Sequence, residues 1–328
     1  MKNYLAPLEG ITNHIYRNVY HKYFYPMDKY FTPFISAKPG KRLSRKEIFE
    51  VDPLYSPGLK VIPQILTNNA EDFIQTARIF QREYGHEEVN LNLGCPSGTV
   101  TAKGKGAGFL GEPEKLRRFL DRIYSSLDMK ISIKTRVGTH YEEDWEYLLD
   151  IYEAFPVYEL IIHPRILKDY YKFTPRYQCF DQAAVRLDCP LCYNGDIFTP
   201  QDYFRVTKQH PGMDAVMFGR GVITSPFLLN EIYEEKSGTK KQLRAFHDEI
   251  LDGYARILSG DRNVLFRMKE LWSYMGRQFS NPDKYVKKMK KVGSIAEYQT
   301  VVNRLFEEQE LVAPGGGNSG AESEGNDE

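Results

Sequence analysis

The chain has 328 residues, 41% of them hydrophobic and 27% charged, and its 44 basic side chains are matched by 44 acidic ones. Those values fit one large domain plus a smaller one with a substantial buried core, and the zero net charge argues against a strongly electrostatic partner for the chain as a whole. No run approaches the ~20 apolar residues a membrane span needs, MKNYLAPLEG lacks the pattern of a secretory signal, and four cysteines (Cys95, Cys179, Cys189, Cys192) suit a reducing compartment, so a cytoplasmic protein is expected.

From the N-terminus onward, short apolar or β-rich runs alternate with amphipathic stretches. The runs are YLAPL (4–8), KYFTPFI (29–35), KVIPQIL (60–66), EVNLNL (88–93), KISIKTR (130–136), ELIIHP (159–164), CPLCYNG (189–195) and DAVMFGR (214–220). Helical stretches follow each of them, with start signals such as Asn69 before an acidic first turn and a proline at 113 or 200. Eight strands and eight helices in residues 1–236 predict a (β/α)8 barrel. A doubly wound open sheet is the competitor, but no GxGxxG follows the first strand. Residues 240–312 contain four helical stretches and no convincing strand, which predicts a small helical domain. Five of its lysines (Lys284, Lys287, Lys288, Lys290, Lys291) fall in eight residues. Such a run is ordinarily a solvated helix face, and by itself favours that reading. The last sixteen residues, rich in glycine and acids, predict a disordered tail over 313–328.

Barrel active sites form at the C-terminal ends of the strands. Those ends carry Pro7-Leu8-Glu9, Gln64, Asn92 with Cys95, Lys134 with Arg136, His163 with Arg165, Asn194-Gly195-Asp196 and Gly219-Arg220. Gly219-Arg220-Gly221 ahead of a short helical stretch suits a phosphate, with Gly195 as the other wall and Arg220 as a charged contact. A lysine inside a barrel mouth calls for an electron-rich ligand edge, and a glutamine suits the lactam edge of a flavin or base. His163 fits a functional or a structural role equally. Cys189 and Cys192 lack partner ligands at metal spacing, and no metal site is expected.

These pieces, APLEGITN (6–13), NLGCPSGTV (92–100) with KGKGAGFL (103–110), IKTRVG (133–138), IIHPR (161–165), NGD (194–196) and MFGRG (217–221), resemble the dihydrouridine synthase family of flavin-dependent RNA-modifying enzymes. The family often has H-G-R-T where this chain has His163-Pro164-Arg165-Ile166, and A-P-M where it has Ala6-Pro7-Leu8. The resemblance implies reduction of specific uridines in tRNA to 5,6-dihydrouridine, with FMN reduced by NADPH as hydride source. It makes Cys95 the proton donor to C5, and Asn92 a contact to the uracil or flavin. Pro7, Leu8, Glu9, Gln64, Lys134, His163, Asn194, Gly195, Asp196, Gly219 and Arg220 would bind FMN. Arg136, Arg165, Lys103 and Lys105 would lie near substrate, and Lys287 and Lys288 on the helical domain would meet the RNA of a monomeric enzyme. A flavin barrel acting on a free pyrimidine or an enone, or on ribosomal RNA, is the alternative.

Overall fold

The computed structural model describes residues 1–37, 40 and 42–312; the predicted tail, 313–328, lies outside them. Ten strands form one sheet in which every pairing is parallel. They are β1 (Lys2–Leu5), β2 (Lys29–Phe31), β3 (Ile35–Ser36), β4 (Val61–Ile62), β5 (Gln64–Leu66), β6 (Glu88–Leu93), β7 (Lys130–Arg136), β8 (Glu159–His163), β9 (Leu191–Asn194) and β10 (Ala215–Phe218). The order runs β3-β5-β6-β7-β8-β9-β10-β1-β2-β4. Its two ends meet in the chain, because β2 and β3 are parts of one segment and β4 and β5 parts of the next. Since β2 pairs with β4 and β3 with β5, those segments run side by side and the ring closes. The result is the predicted eight-stranded barrel.

Two predicted strands, 29–35 and 60–66, are each split in two. Pro33 and Pro63 lie at the breaks, and a proline has no N–H to give the ladder. The expected helices appear at His14–Tyr23, Arg45–Val51, Ala70–Tyr84, Pro113–Ser126, Asp144–Glu153, Tyr177–Arg186, Pro200–Gln209 and Leu228–Glu234. The Asn69 side chain caps the third of them, accepting from the Asp72 N–H at 3.0 Å, and Gly85 ends it at φ 74°. A short helix, Gly98–Thr101, and a 3-10 turn, Gly106–Gly111, follow β6 and were not expected.

Side chains two apart on a strand share a face, so each strand sends alternate residues into the barrel. Tyr4, Ala6, Phe31, Ile62, Ile161, Cys192, Ala215 and Met217 form an apolar cluster there, against which Leu8 packs. Along β6 the odd positions are apolar, whereas Glu88, Asn90 and Asn92 carry buried polar groups. Near the strand starts, Lys29 Nζ bridges Glu88 (2.9 Å) and Glu159 (2.8 Å), and the Tyr4 hydroxyl donates to Glu159 at 2.6 Å.

The chain divides into two compact units. The first (1–21, 26–196 and 205–219) holds all ten strands. The second (22–25, 197–204 and 220–312 of the described residues) is helical and contains Lys240–Ile257, Asp261–Met275, Asp283–Lys291 and Ile295–Glu308. Its core includes Trp272, His247 and Tyr298, with the His247 Nε2 2.6 Å from the Tyr298 hydroxyl.

Candidate active site

The turn after β6 carries the cysteine. Asn92, the last inward residue of the strand, turns its side-chain oxygen onto the chain that follows it. The Gly94 N–H (3.1 Å) and the Cys95 N–H (3.0 Å) both donate to Asn92 Oδ1. From the other side, the Cys95 carbonyl accepts the Ala107 N–H at 3.0 Å, which seats the turn under the segment Gly98–Gly111. Gly106 permits this approach: at φ 57° an added Cβ would stand 2.8 Å from the Cys95 carbonyl oxygen. The Arg136 guanidinium holds a third side, its Nε donating to the Gly94 carbonyl at 3.0 Å and its Nη1 to that of Ile166 at 2.9 Å. Cys95 is thus half-buried, and burial pushes its thiol above the usual 9.0, against the pull of the Ser97 N–H and the Arg136 and Lys134 charges.

Lys134 is the neighbour of Asn92 across the β6–β7 register. A Cβ on Gly94 would lie 3.9 Å from its Nζ. No acidic side chain pairs with it among the described residues, and burial, with the nearby Arg136 charge, lowers it to about 8. Gln64 is fully buried, its amide tied to Asn90 (2.7 Å) and Asn92 (2.7 Å).

His163 ends β8, only 6% exposed. Arg165 Nη1 lies 3.0 Å from its Nε2, and the Tyr171 ring stacks on it with centroids 5.9 Å apart. Arg165 is itself buried, with its remaining donors on both Asp196 carboxylate oxygens and on the Phe173 carbonyl. Its guanidinium therefore locks His163 and Asp196 together. Asn194 donates from Nδ2 to the Met217 carbonyl at 2.9 Å. Gly195 is required by packing, since a Cβ there would fall 2.1 Å from the Tyr193 hydroxyl. Gly219 faces Ala6 and Leu8 with ordinary space for a side chain, and the Leu8 N–H donates to Thr12 Oγ1 at 2.8 Å.

The barrel thus brings together Leu8, Gln64, Asn92, Cys95, Lys134, Arg136, His163, Arg165, Asn194, Gly195, Asp196 and Gly219 at the C-terminal ends of its strands. Pro7 and Glu9 sit on the loop after β1, where Glu9 is exposed and meets Lys46 at 3.5 Å. Lys103 and Lys105 lie on the segment that covers the Cys95 turn, pinned where Asn68 donates to the Lys103 and Gly104 carbonyls (3.0 and 3.1 Å). Arg220 belongs to the helical unit, its guanidinium 5.5 Å from the Phe198 ring centre. Lys287 and Lys288 belong there too, exposed on the helix Asp283–Lys291. Cys192 is filler in the barrel cluster, and among the described residues no group of His, Cys, Asp and Glu could hold a metal. Sequence reasoning missed Tyr171, whose ring also lies 5.4 Å from the Arg136 guanidinium. An aromatic pair in the loop after His163, Tyr170-Tyr171, was the available signal.

A flavin fits these residues. Lys134 is a cation with no acidic partner among the described residues, which suits the electron-rich pyrimidine edge of the ring, and Asn92, 6% exposed, still has an amide N–H to give. The family model described as dihydrouridine synthase matches residues 4–310. The chain is 28% identical over 295 residues to a tRNA-dihydrouridine(16) synthase of Shewanella oneidensis, covering 86% of this chain and 91% of that one. It is 26% identical over 230 residues to tRNA-dihydrouridine synthase B of Escherichia coli, covering 69% and 70%. Among solved structures, a variant of NCR from Zymomonas mobilis superposes with a TM-score of 0.53 at 12% identity, covering 75% of this chain and 90% of that one. Morphinone reductase gives 0.51 at 13%, covering 72% and 86%. These two likenesses concern the barrel fold.

Proposed function

This chain belongs to the dihydrouridine synthase family, an oxidoreductase family, and from that premise we propose that it reduces uridine in tRNA to 5,6-dihydrouridine. The observation that carries the reading is a half-buried cysteine, its backbone N–H held by Asn92, beside a lysine with no acidic partner among the described residues. FMN, reduced by NADPH, supplies when bound the hydride that reaches C6 of the uracil. Pro7, Leu8, Glu9, Gln64, Lys134, His163, Asn194, Gly195, Asp196 and Gly219 would hold it, and Arg220 keeps the phosphate role its place in the sequence suggests.

The chain's own part is to position the base and deliver a proton. Cys95 Sγ–H gives its proton to C5, so hydride and proton together saturate the double bond, and the thiolate regains its proton from water. A thiol pushed upward by burial is protonated at neutral pH, as a general acid must be. Arg136 and Arg165 act by positioning: the first fixes the Cys95 turn, the second fixes His163 and Asp196. Lys103 and Lys105 stand near an incoming base. A uridine must leave its stack to reach a barrel mouth, which requires backbone contacts elsewhere on the RNA. The exposed lysines of Asp283–Lys291, Lys287 and Lys288 among them, suit that work in the cytoplasm.

The test is dihydrouridine formation in tRNA that lacks it, with purified protein, FMN and NADPH. Conversion of specific uridines is the expected result. NADPH oxidation stimulated by free uracil and not by tRNA, or by ribosomal RNA alone, would overturn it.

A further inference from the structure

The hydrogen bonds of Asn92 have one polarity only. Its side chain faces two backbone N–H groups, Gly94 and Cys95, which can only donate, so the atom facing them is the oxygen. Its Nδ2 therefore donates to Gln64 Oε1 at 2.7 Å. Gln64 Nε2 then donates to Asn90 Oδ1 (2.7 Å), Asn90 Nδ2 to Ser132 Oγ (3.0 Å), and the Ser132 hydroxyl to Glu88 Oε1 (2.9 Å). Read from the far end the polarity is the same, because the Glu88 carboxylate, ion-paired to Lys29, can only accept. Gln64, Asn90 and Ser132 are fully buried. Register makes the chain possible: Gln64 lies opposite Asn90 and Asn90 opposite Ser132 on adjacent parallel strands.

We propose that Asn90, Ser132 and Glu88 are positioning residues that fix the Asn92 amide, committing its oxygen to the Cys95 turn and leaving one N–H as its sole contact for a ligand. Given the uridine reading above, on which this last step rests, that N–H meets a carbonyl oxygen of uracil.

The test compares the full-length protein with Asn90→Leu, Asn90→Asp and Ser132→Ala. One readout needs neither cofactor nor RNA: hydrogen exchange of the Gly94 and Cys95 amides, followed by NMR. The other is uridine reduction per bound flavin. Asn90→Leu removes the acceptor for Gln64 Nε2, and exchange at both amides should rise while turnover falls, each by about 10–100-fold as for other outer supporting hydrogen bonds. Asn90→Asp presents an oxygen to Gln64 in either protonation state and should restore both readouts most of the way. A mere packing role forecasts the opposite, since a carboxyl buried near Glu88 would be at least as harmful as leucine. Wild-type exchange at Gly94 and Cys95 in folded Asn90→Leu, or no rescue by Asn90→Asp, would overturn the relay. Should Asn90→Leu fail to fold, Ser132→Ala, which removes a single hydroxyl, is held to the same result. Amides that respond as expected in a protein that reduces no uridine would leave the relay standing and remove the uridine reading instead.

Discussion

At the residue scale the proposed chemistry concentrates on Cys95. Replacing it with alanine should lower uridine reduction by about 10²–10⁴-fold, the range of a lost general acid, while visible flavin absorbance is retained. Turnover near wild type would remove the thiol from the reaction. The pH profile follows from the direction of the shift. An acid acts only while protonated, and burial raises this thiol above the ordinary 9.0, so its own limb should lie beyond that value, above any limb near 8 from loss of the Lys134 charge. With Lys134→Arg, whose charge does not titrate there, a limb still beginning below 9.0 would assign the proton to another group. Cys95 and Asn92 were legible in the sequence because a turn of glycine, cysteine and proline at a strand end has few bland explanations. Arg136 and Arg165 were legible as charged residues at the mouth but not as supports. Which donors a guanidinium has left depends on carbonyls and carboxylates that only the fold brings near, Gly94, Ile166, Phe173 and Asp196 among them.

At the scale of elements, alternation along β6 shows how a correct strand can conceal its content. EVNLNL reads as apolar and polar in turn, the usual sign of one wet face. Both faces are buried here: leucines and valine lie outside the barrel wall, and the polar residues turn into it. Sequence periodicity gives the faces, while only closure of the sheet says that the polar one is interior. The helix Asp283–Lys291 poses the converse case. Tyr285 and Met289, four residues apart, are buried, whereas Lys284, Lys287, Lys288 and Lys291 share the opposite, exposed face. A groove lined by Lys284, Tyr285, Lys288, Val301 and Arg304 adjoins that face. Neutralising Lys287, Lys288, Lys290 and Lys291 to glutamine should weaken tRNA binding and lower the salt dependence by about one unit of log–log slope for each phosphate no longer neutralised. Filter binding at several salt concentrations reads both. An unchanged slope would return the run to an ordinary solvated face, the reading its composition alone favoured.

At the scale of the whole molecule, barrel closure was predicted from the count of strands, and the ion network that accompanies it was not. Lys29 sits on β2, whereas its partners begin β6 and β8, so no local pattern announces the triad. Only a ring brings those three strand starts to one place. Burial alone would lower the Lys29 ammonium, but the Glu88 and Glu159 carboxylates overcome that and hold it above its usual 10.5. Lys29→Met removes one cation from between two buried acids, an exchange that costs roughly 3–5 kcal/mol when a buried charge is left uncompensated. Denaturant unfolding of the full chain at neutral pH should show that loss as a lower midpoint with an unchanged slope. The sign of its pH dependence is fixed too. A lysine raised in the folded state contributes its full stabilisation below the unfolded value and loses it as pH climbs through the folded one. The gap between wild type and Lys29→Met should therefore be constant from neutral pH up to about pH 10 and narrow above 10.5. Since Glu88 also ends the amide relay, the same substitution should quicken exchange at the Gly94 and Cys95 amides before the barrel opens globally. A variant that loses stability without any change at those amides would make the floor of the barrel and its mouth independent structures.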